Sequence, residues 1–168
     1  MKTLFLILAL AVSPQSRLSL SDLGLAHDYD RFRDETNVRL VESLMPDRPG
    51  YVLLNVFKVV KGRDPKLIRP TTAMLAITSQ TDEWYFHKTQ NTLLVIQDGK
   101  RYEIGNMKRI DSEVTHSGVR EILLIEVPFA TIERLSQGSE IEIQVGRYEA
   151  KLNPSVVQNI KAWVSQFN

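Results

Sequence analysis

Metal binding and acid–base catalysis call first for imidazoles, and this 168-residue chain has three, His27, His87 and His116. No two of them stand at the i, i+2 or i, i+4 spacing that turns a pair of rings toward one ion. His27 and Asp28 with Asp30 hold the ligand types for a divalent cation, but they fall where the folded domain is expected to begin. The chain contains no cysteine. That removes thiolate metal sites, a cysteine nucleophile, disulfides and a lipid-modified anchor in one step. No metal ligand and no cofactor-binding residue is assigned.

Hydrolysis needs a nucleophile held by an oriented base. Serines are plentiful, yet the G-x-S-x-G elbow is absent from the sequence. "THSG" (115–118) sets His116 beside Ser117, but neighbours on a strand point apart and Ser-Gly reads as a turn. Asp34-Glu35 and Asp82-Glu83 are consecutive, which places both pairs poorly for sharing a substrate. Glu140 and Glu142 share a face, but it is the wet one. The glycine-rich loop that cradles phosphates is missing. No catalytic residue is assigned.

The stretch "KVVKGRDPKLIR" (58–69) gathers Lys58, Lys61, Arg63, Lys66 and Arg69, types that meet phosphate or a lipid headgroup. The formal charge of the whole chain is only +1. Without the residues before His27 the balance is 19 basic against 19 acidic. A near-zero balance gives no global field for nucleic acid or anionic lipid, so the run reads as a solvated loop and no nucleic-acid partner is expected.

"EWYFHK" (83–88) is the densest aromatic cluster. Read as a strand, it sends Trp84 and Phe86 one way and Tyr85 and His87 the other. The reading adopted puts Trp84 and Phe86 in the core and Tyr85 and His87 at a sheet edge; the alternative is a ligand platform built from Tyr85 and His87.

The elements that would position these residues are mostly strands. In "RFRDETNVRLV", Phe32, Thr36, Val38 and Leu40 alternate with Arg33, Glu35, Asn37 and Arg39, the pattern of a strand with one wet face. "MPDRPG" breaks the chain. "YVLLNVFKVV" (51–60) is apolar at almost every position and predicts a strand buried on both faces. "TAMLAITSQ" (72–80) and "VREILLIEVP" (119–128) are further strands.

Two hairpins are explicit. Asp98-Gly99 suits a type I′ turn, which pairs Gln97 with Lys100, Val95 with Tyr102 and Leu93 with Ile104. Gly146-Arg147 suits type II′ and pairs Val145 with Tyr148, Ile143 with Ala150 and Ile141 with Leu152. "PFATIERLSQG" predicts a short helix, with Pro128 in its first turn and Gly138 at its stop. The C-terminus predicts a second helix, capped by Asn153 with Pro154 at N1. Its stripe is Val156, Val157, Ile160, Trp163, Val164 and Phe167.

"MKTLFLILALAV" opens with Lys2 and an uncharged apolar run over residues 4–12. This is the form of a secretory signal, too short for a stable membrane span unless it is retained as an anchor. Ala9-Leu10-Ala11 and Gly24-Leu25-Ala26 both have the small-x-small form of a cleavage site. The organisation expected is a signal and unstructured leader over residues 1–26, then one β-rich domain over 27–168. The domain is expected to be an antiparallel β-sandwich or open barrel of about eight or nine strands, with one short helix and a C-terminal amphipathic helix.

"YDRFRDETNV", "EWYF" before "LLVIQDGKRYEIG", "EILLIEVPFATIERL" and "EIEIQVGRYEAKL" together resemble a family of small exported bacterial domains of uncharacterised function. In that family a Tyr-Asp-x-Phe segment follows the signal peptide. An Asp-Gly hairpin sits mid-domain, and a strand ending in Val-Pro leads into a helix. The resemblance spans residues 29–167, and its motifs are signatures of turns and core. Tyr85 departs from it, standing where an arginine or another polar residue is expected.

The function expected is that of an exported, noncatalytic domain, periplasmic or extracellular, binding a protein or an envelope component. The alternative is a small periplasmic hydrolase or ligand-binding protein whose site is assembled from distant loops.

Overall fold

The computed structural model describes residues 23–45, 50–63, 65, 67–87 and 89–167. The segment before Leu23, where a secretory signal is expected and which includes Ala9-Leu10-Ala11, lies outside the described residues, as do the centre of "MPDRPG" and Lys66. Among the described residues, ten strands and two helices follow in chain order. They are β1 (Gly24–Asp30), β2 (Glu35–Ser43), β3 (Tyr51–Lys61), β4 (Thr72–Thr81), β5 (Thr92–Gln97), β6 (Lys100–Asn106), β7 (Lys108–Thr115) and β8 (Gly118–Pro128). Then come α1 (Phe129–Leu135), β9 (Ile141–Val145), β10 (Tyr148–Lys151) and α2 (Pro154–Val164).

The strands form two antiparallel sheets, one in the order β1-β2-β3-β4-β8-β7 and one in the order β10-β9-β5-β6. This is the mainly β, sandwich-type architecture expected, without barrel closure.

Between the sheets, Val38, Leu40, Val52, Leu54, Val56, Leu75, Ile77 and Leu123 face Leu93, Val95, Ile141, Ile143 and Val145. The alternation of β2, β5 and β9 supplies many of these residues; a one-residue slip would send them to water. β3 is buried on both faces along its first half, as its apolar run predicts: Val52, Leu54 and Val56 point inward, and Leu53 on the other face is also without exposed surface. The two helices complete the core with Phe129, Ile132, Leu135, Val156, Val157, Ile160 and Trp163. The Trp163 indole N–H donates to the Val38 carbonyl at 3.1 Å.

The hairpins follow their turn chemistry. Asp98 and Gly99 have φ of 51° and 79°, as type I′ requires, and Gln97 pairs with Lys100 and Val95 with Tyr102. A bulge between Leu93 and Leu94 then shifts the ladder, so Leu93 meets Gly105 rather than the expected Ile104. In the second hairpin Val145 pairs with Tyr148 and Ile143 with Ala150, and the Leu152 N–H reaches the Ile141 carbonyl at 2.8 Å. Gly146 has φ 58°, in keeping with type II′.

Space around Gly99 is open: a Cβ added there would meet nothing within 4 Å. Gly99→Val therefore meets only the backbone cost of a left-handed conformation, about 1–2 kcal/mol or more for a β-branched residue. The expected outcome is a lower urea midpoint with an unchanged m-value.

Asp98 itself holds the next loop. Its Oδ1 accepts from the Ser139 hydroxyl at 2.6 Å, the Glu140 N–H at 2.9 Å and the Ser139 N–H at 3.0 Å. These bonds, the Ser139 hydroxyl first, hold its pKa below the ordinary aspartate value. A folded pKa below the unfolded one means a contribution present above the unfolded value and lost as pH falls through the folded value. Asp98→Asn should flatten that part of the acid-side loss of stability, below about pH 4, as read by thermal unfolding across a pH series.

Several expectations are corrected. β1 runs from Gly24 across the 26/27 position, with Leu25 paired to Leu40 and Ala26 to Arg39. Gly24-Leu25-Ala26 thus lies within a paired strand. Phe32 is not on β2 but in the β1–β2 turn, 86% exposed. β1 and β7 are additional strands, whereas residues 84–87 are not a strand. Asn153 occupies the N-cap position of α2 without a side-chain cap bond; its carbonyl instead accepts from the Val156 N–H at 2.9 Å. α1 stops at Leu135 with Ser136 as its C-cap, ahead of Gly138.

Candidate functional site

The chain crosses from the six-stranded sheet to the four-stranded one through residues 82–91, at the end of the sandwich where Thr81 pairs with Val119. Two consecutive backbone N–H groups in this segment, those of Tyr85 and Phe86, donate to one carboxylate oxygen, Glu121 Oε2, at 2.8 and 3.0 Å. Glu121 sits on β8 with no exposed surface. It shares the inward phase of Leu123 and Val127 because successive strand residues alternate.

A buried carboxylate needs such donors. The segment needs the carboxylate equally, since it has left both ladders and has no strand partner for those amides. The other oxygen, Glu121 Oε1, has no bonding partner among the described residues, and neither has the hydroxyl of Ser79, which is equally buried. Ser79 stands directly across from Glu121 in the β4–β8 register.

Further bonds hold the crossing. The Phe86 carbonyl accepts from the Arg109 guanidinium and from the Thr89 hydroxyl at 3.0 Å. The Tyr85 carbonyl accepts from the Arg147 N–H at 3.2 Å. A Cβ at Gly146 would stand 2.8 Å from Thr89 Oγ1 and 2.9 Å from the Tyr85 carbonyl, so this turn requires glycine for space as well as for its φ.

The aromatics divide differently from the strand reading. Phe86 has no exposed surface and belongs to the core. Tyr85 packs beside it, its ring 5.5 Å from that of Tyr148 in an edge arrangement. Trp84 is half-buried and His87 exposed, and their rings lie 4.8 Å apart at 46°. The outward pair is thus Trp84 and His87, not Tyr85 and His87, because Glu121 grips the backbone between them and turns it out of strand geometry.

The remaining sequence candidates do not converge. His27 lies opposite Val38 on β1, on the other face from Asp28 and Asp30. Asp28 is paired with Arg39 at 2.5 Å, and Asp30 accepts the Phe32 N–H at 2.9 Å. His116 and Ser117 form the β7–β8 turn, where the Ser117 hydroxyl accepts from Gln80 Nε2 at 2.5 Å. Glu140 is engaged by Lys151. Among the described residues no group of three or more His, Cys, Asp or Glu side chains is placed to hold a metal ion.

Glu121 with Ser79 offers two buried oxygens but no imidazole beside them, since the three histidines stand on β1, in the crossing and in the β7–β8 turn. What the arrangement does is fix a crossover. Sequence reasoning missed Glu121 inside "VREILLIEVP". Its signal is there: the one charged residue on the phase that otherwise reads Val119, Leu123, Ile125, Val127.

No family model, no curated protein and no solved structure matches this chain.

Proposed function

We propose that the chain is an exported, noncatalytic domain of the periplasm or cell surface that binds a protein or envelope component by taking a partner strand onto β1. The observation that carries this reading is the contrast between the two edges of the six-stranded sheet. Beside β1, Leu23, Leu25 and Tyr29 remain exposed, so an added strand would gain apolar contact as well as backbone hydrogen bonds. The opposite edge, β7, also leaves Val114 exposed but carries four charged residues, Lys108, Arg109, Asp111 and Glu113, against the two aspartates Asp28 and Asp30 of β1, and such charges discourage pairing.

The cavity described between the two sheets is too small for a ligand. One cavity of about 20 Å³ between the sheets is lined wholly by apolar side chains, Leu54, Ile77, Val95 and Ile143 among them. A space of that size and character stays dry. Lys2 ahead of the uncharged run over residues 4–12 supports export, as does the resemblance to small exported bacterial domains. Among the described residues no helix is long and apolar enough to cross a membrane.

The test joins N-terminal sequencing of the protein from fractionated cells with partner capture from envelope extracts. Processed protein in the envelope fraction, with a captured component lost on Leu25→Glu, is the expected result. An unprocessed cytosolic product removes export from the reading, and capture indifferent to Leu25→Glu removes β1.

A further inference from the structure

The β1–β2 turn and the β3–β4 connection meet at one end of the six-stranded sheet, where Glu35 at the start of β2 pairs with Lys61 at the end of β3. The turn carries Phe32, 86% exposed, and the later part of the same connection carries Ile68, 64% exposed, next to Arg69. The sequence separates these residues and gives no sign that they share an end of the molecule.

The tip is built, and the backbone that carries Phe32 is held in place. Asp30 Oδ1 accepts from the N–H groups of Phe32 and Arg33 at 2.9 and 3.3 Å, an Asx turn that sets the backbone. Asp34 holds a left-handed φ of 52°, with its carboxylate accepting the Tyr29 hydroxyl at 3.0 Å and its carbonyl the Gly62 N–H at 2.8 Å. Lys61 Nζ donates to the Arg33 carbonyl at 3.1 Å. The Thr36 hydroxyl donates to the Gly62 carbonyl at 2.6 Å. The turn and the start of the connection are therefore tied into one unit.

Charge is divided unevenly around it. Arg33 lies with Asp30 at 3.8 Å, Lys61 with Glu35 at 3.2 Å and Arg69 with Glu133 at 2.6 Å. Arg31 and Arg63 have no carboxylate partner among the described residues. Each lies over an aromatic ring instead, Arg31 over Phe32 at 4.7 Å and Arg63 over Tyr29 at 5.9 Å.

The geometry points to a lipid-docking tip: Phe32 and Ile68 enter the interfacial layer of an anionic bilayer while Arg31 and Arg63 take lipid phosphates. A bilayer surface is apolar below and anionic above. An aromatic ring with a guanidinium stacked on it presents both complements at one level. Guanidinium binds phosphate through paired N–H donors and stays charged at any physiological pH. This assignment stands apart from the export reading and from the β1 edge, since purified protein and vesicles suffice to test it.

Because the chain has no cysteine, Ile68→Cys carrying a solvatochromic dye reports on the tip alone. The full chain so labelled is titrated with phosphatidylethanolamine–phosphatidylglycerol vesicles and with phosphatidylcholine vesicles. The emission should shift to the blue on the first and stay unshifted on the second. Phe32→Ala should weaken the dye-reported affinity by about tenfold or more, the loss of one inserted aromatic. Arg31→Gln with Arg63→Gln should abolish the preference for anionic vesicles. Thermal unfolding of these variants should be unchanged and serves as the control.

A dye that stays in water on both vesicle types overturns the assignment, even if the chain sediments with them through residues 4–12. A shift indifferent to Phe32→Ala overturns it as well. A dye that shifts only in lipid-free envelope extract places a protein on the tip instead, and also overturns it.

Discussion

Glu121→Ala is expected to destabilise the domain by about 3–5 kcal/mol, measured by urea unfolding, because the buried Phe86 N–H and the part-buried Tyr85 N–H lose their acceptor together. The Tyr85 and Phe86 amides bond to Glu121 Oε2 at 2.8 and 3.0 Å, and Phe86 is without exposed surface, so water cannot replace the carboxylate without the crossing opening. Removing a buried charge returns some desolvation energy, which sets the upper end of the range.

Glu121→Gln separates the two effects. Its amide oxygen keeps an acceptor for the same two N–H groups. The loss there should be about 1–2 kcal/mol, the difference between a charged and a neutral acceptor. Hydrogen exchange gives an independent readout. In the alanine variant the Tyr85 and Phe86 amides should exchange through local opening well below the global unfolding energy. Equal stability of the alanine and glutamine variants would show that the carboxylate does not hold the crossing.

What is legible in the sequence divides along a physical line. The Asp98-Gly99 and Gly146-Arg147 hairpins are readable because turn chemistry and side-chain phase are local, and they account for most of the four-stranded sheet. β3 is readable because a strand buried on both faces leaves a nearly unbroken apolar run. β1 and β7 are not, because edge strands bury little; "GLAHDYD" and "KRIDSEVT" carry no clear alternation to detect. Residues 84–87 mislead for the opposite reason. Aromatic density is what a strand shows, but the conformation there is set by Glu121 across the fold, and no local pattern encodes that contact. The exposed tip is half legible: the basic run over 58–69 stands out, whereas its meeting with the β1–β2 turn depends on the β2–β3 register.

Trp163→Ala should cost about 4 kcal/mol, within the range for truncating a large buried aromatic. The residue has no exposed surface, and its ring lies 5.8 Å from Phe129 and 4.9 Å from Phe167. It thus joins α1, α2 and the C-terminal residues into one aromatic cluster against β2. Two contributions are separable.

Trp163→Phe keeps a ring in the cluster but loses the bond from Nε1 to the Val38 carbonyl at 3.1 Å. It should cost about 1–2 kcal/mol, roughly one hydrogen bond plus a small volume change. A double-mutant cycle with Phe167→Ala should show coupling of about 1 kcal/mol, since the rings touch. If α2 only lay on the surface, Trp163→Ala would cost no more than an exposed substitution and the coupling would vanish. A large cost with strong coupling means instead that the helix closes the sandwich, and that the cavity of about 20 Å³ lined in part by Ile160 of α2 stays small because Trp163 keeps the helix seated over it.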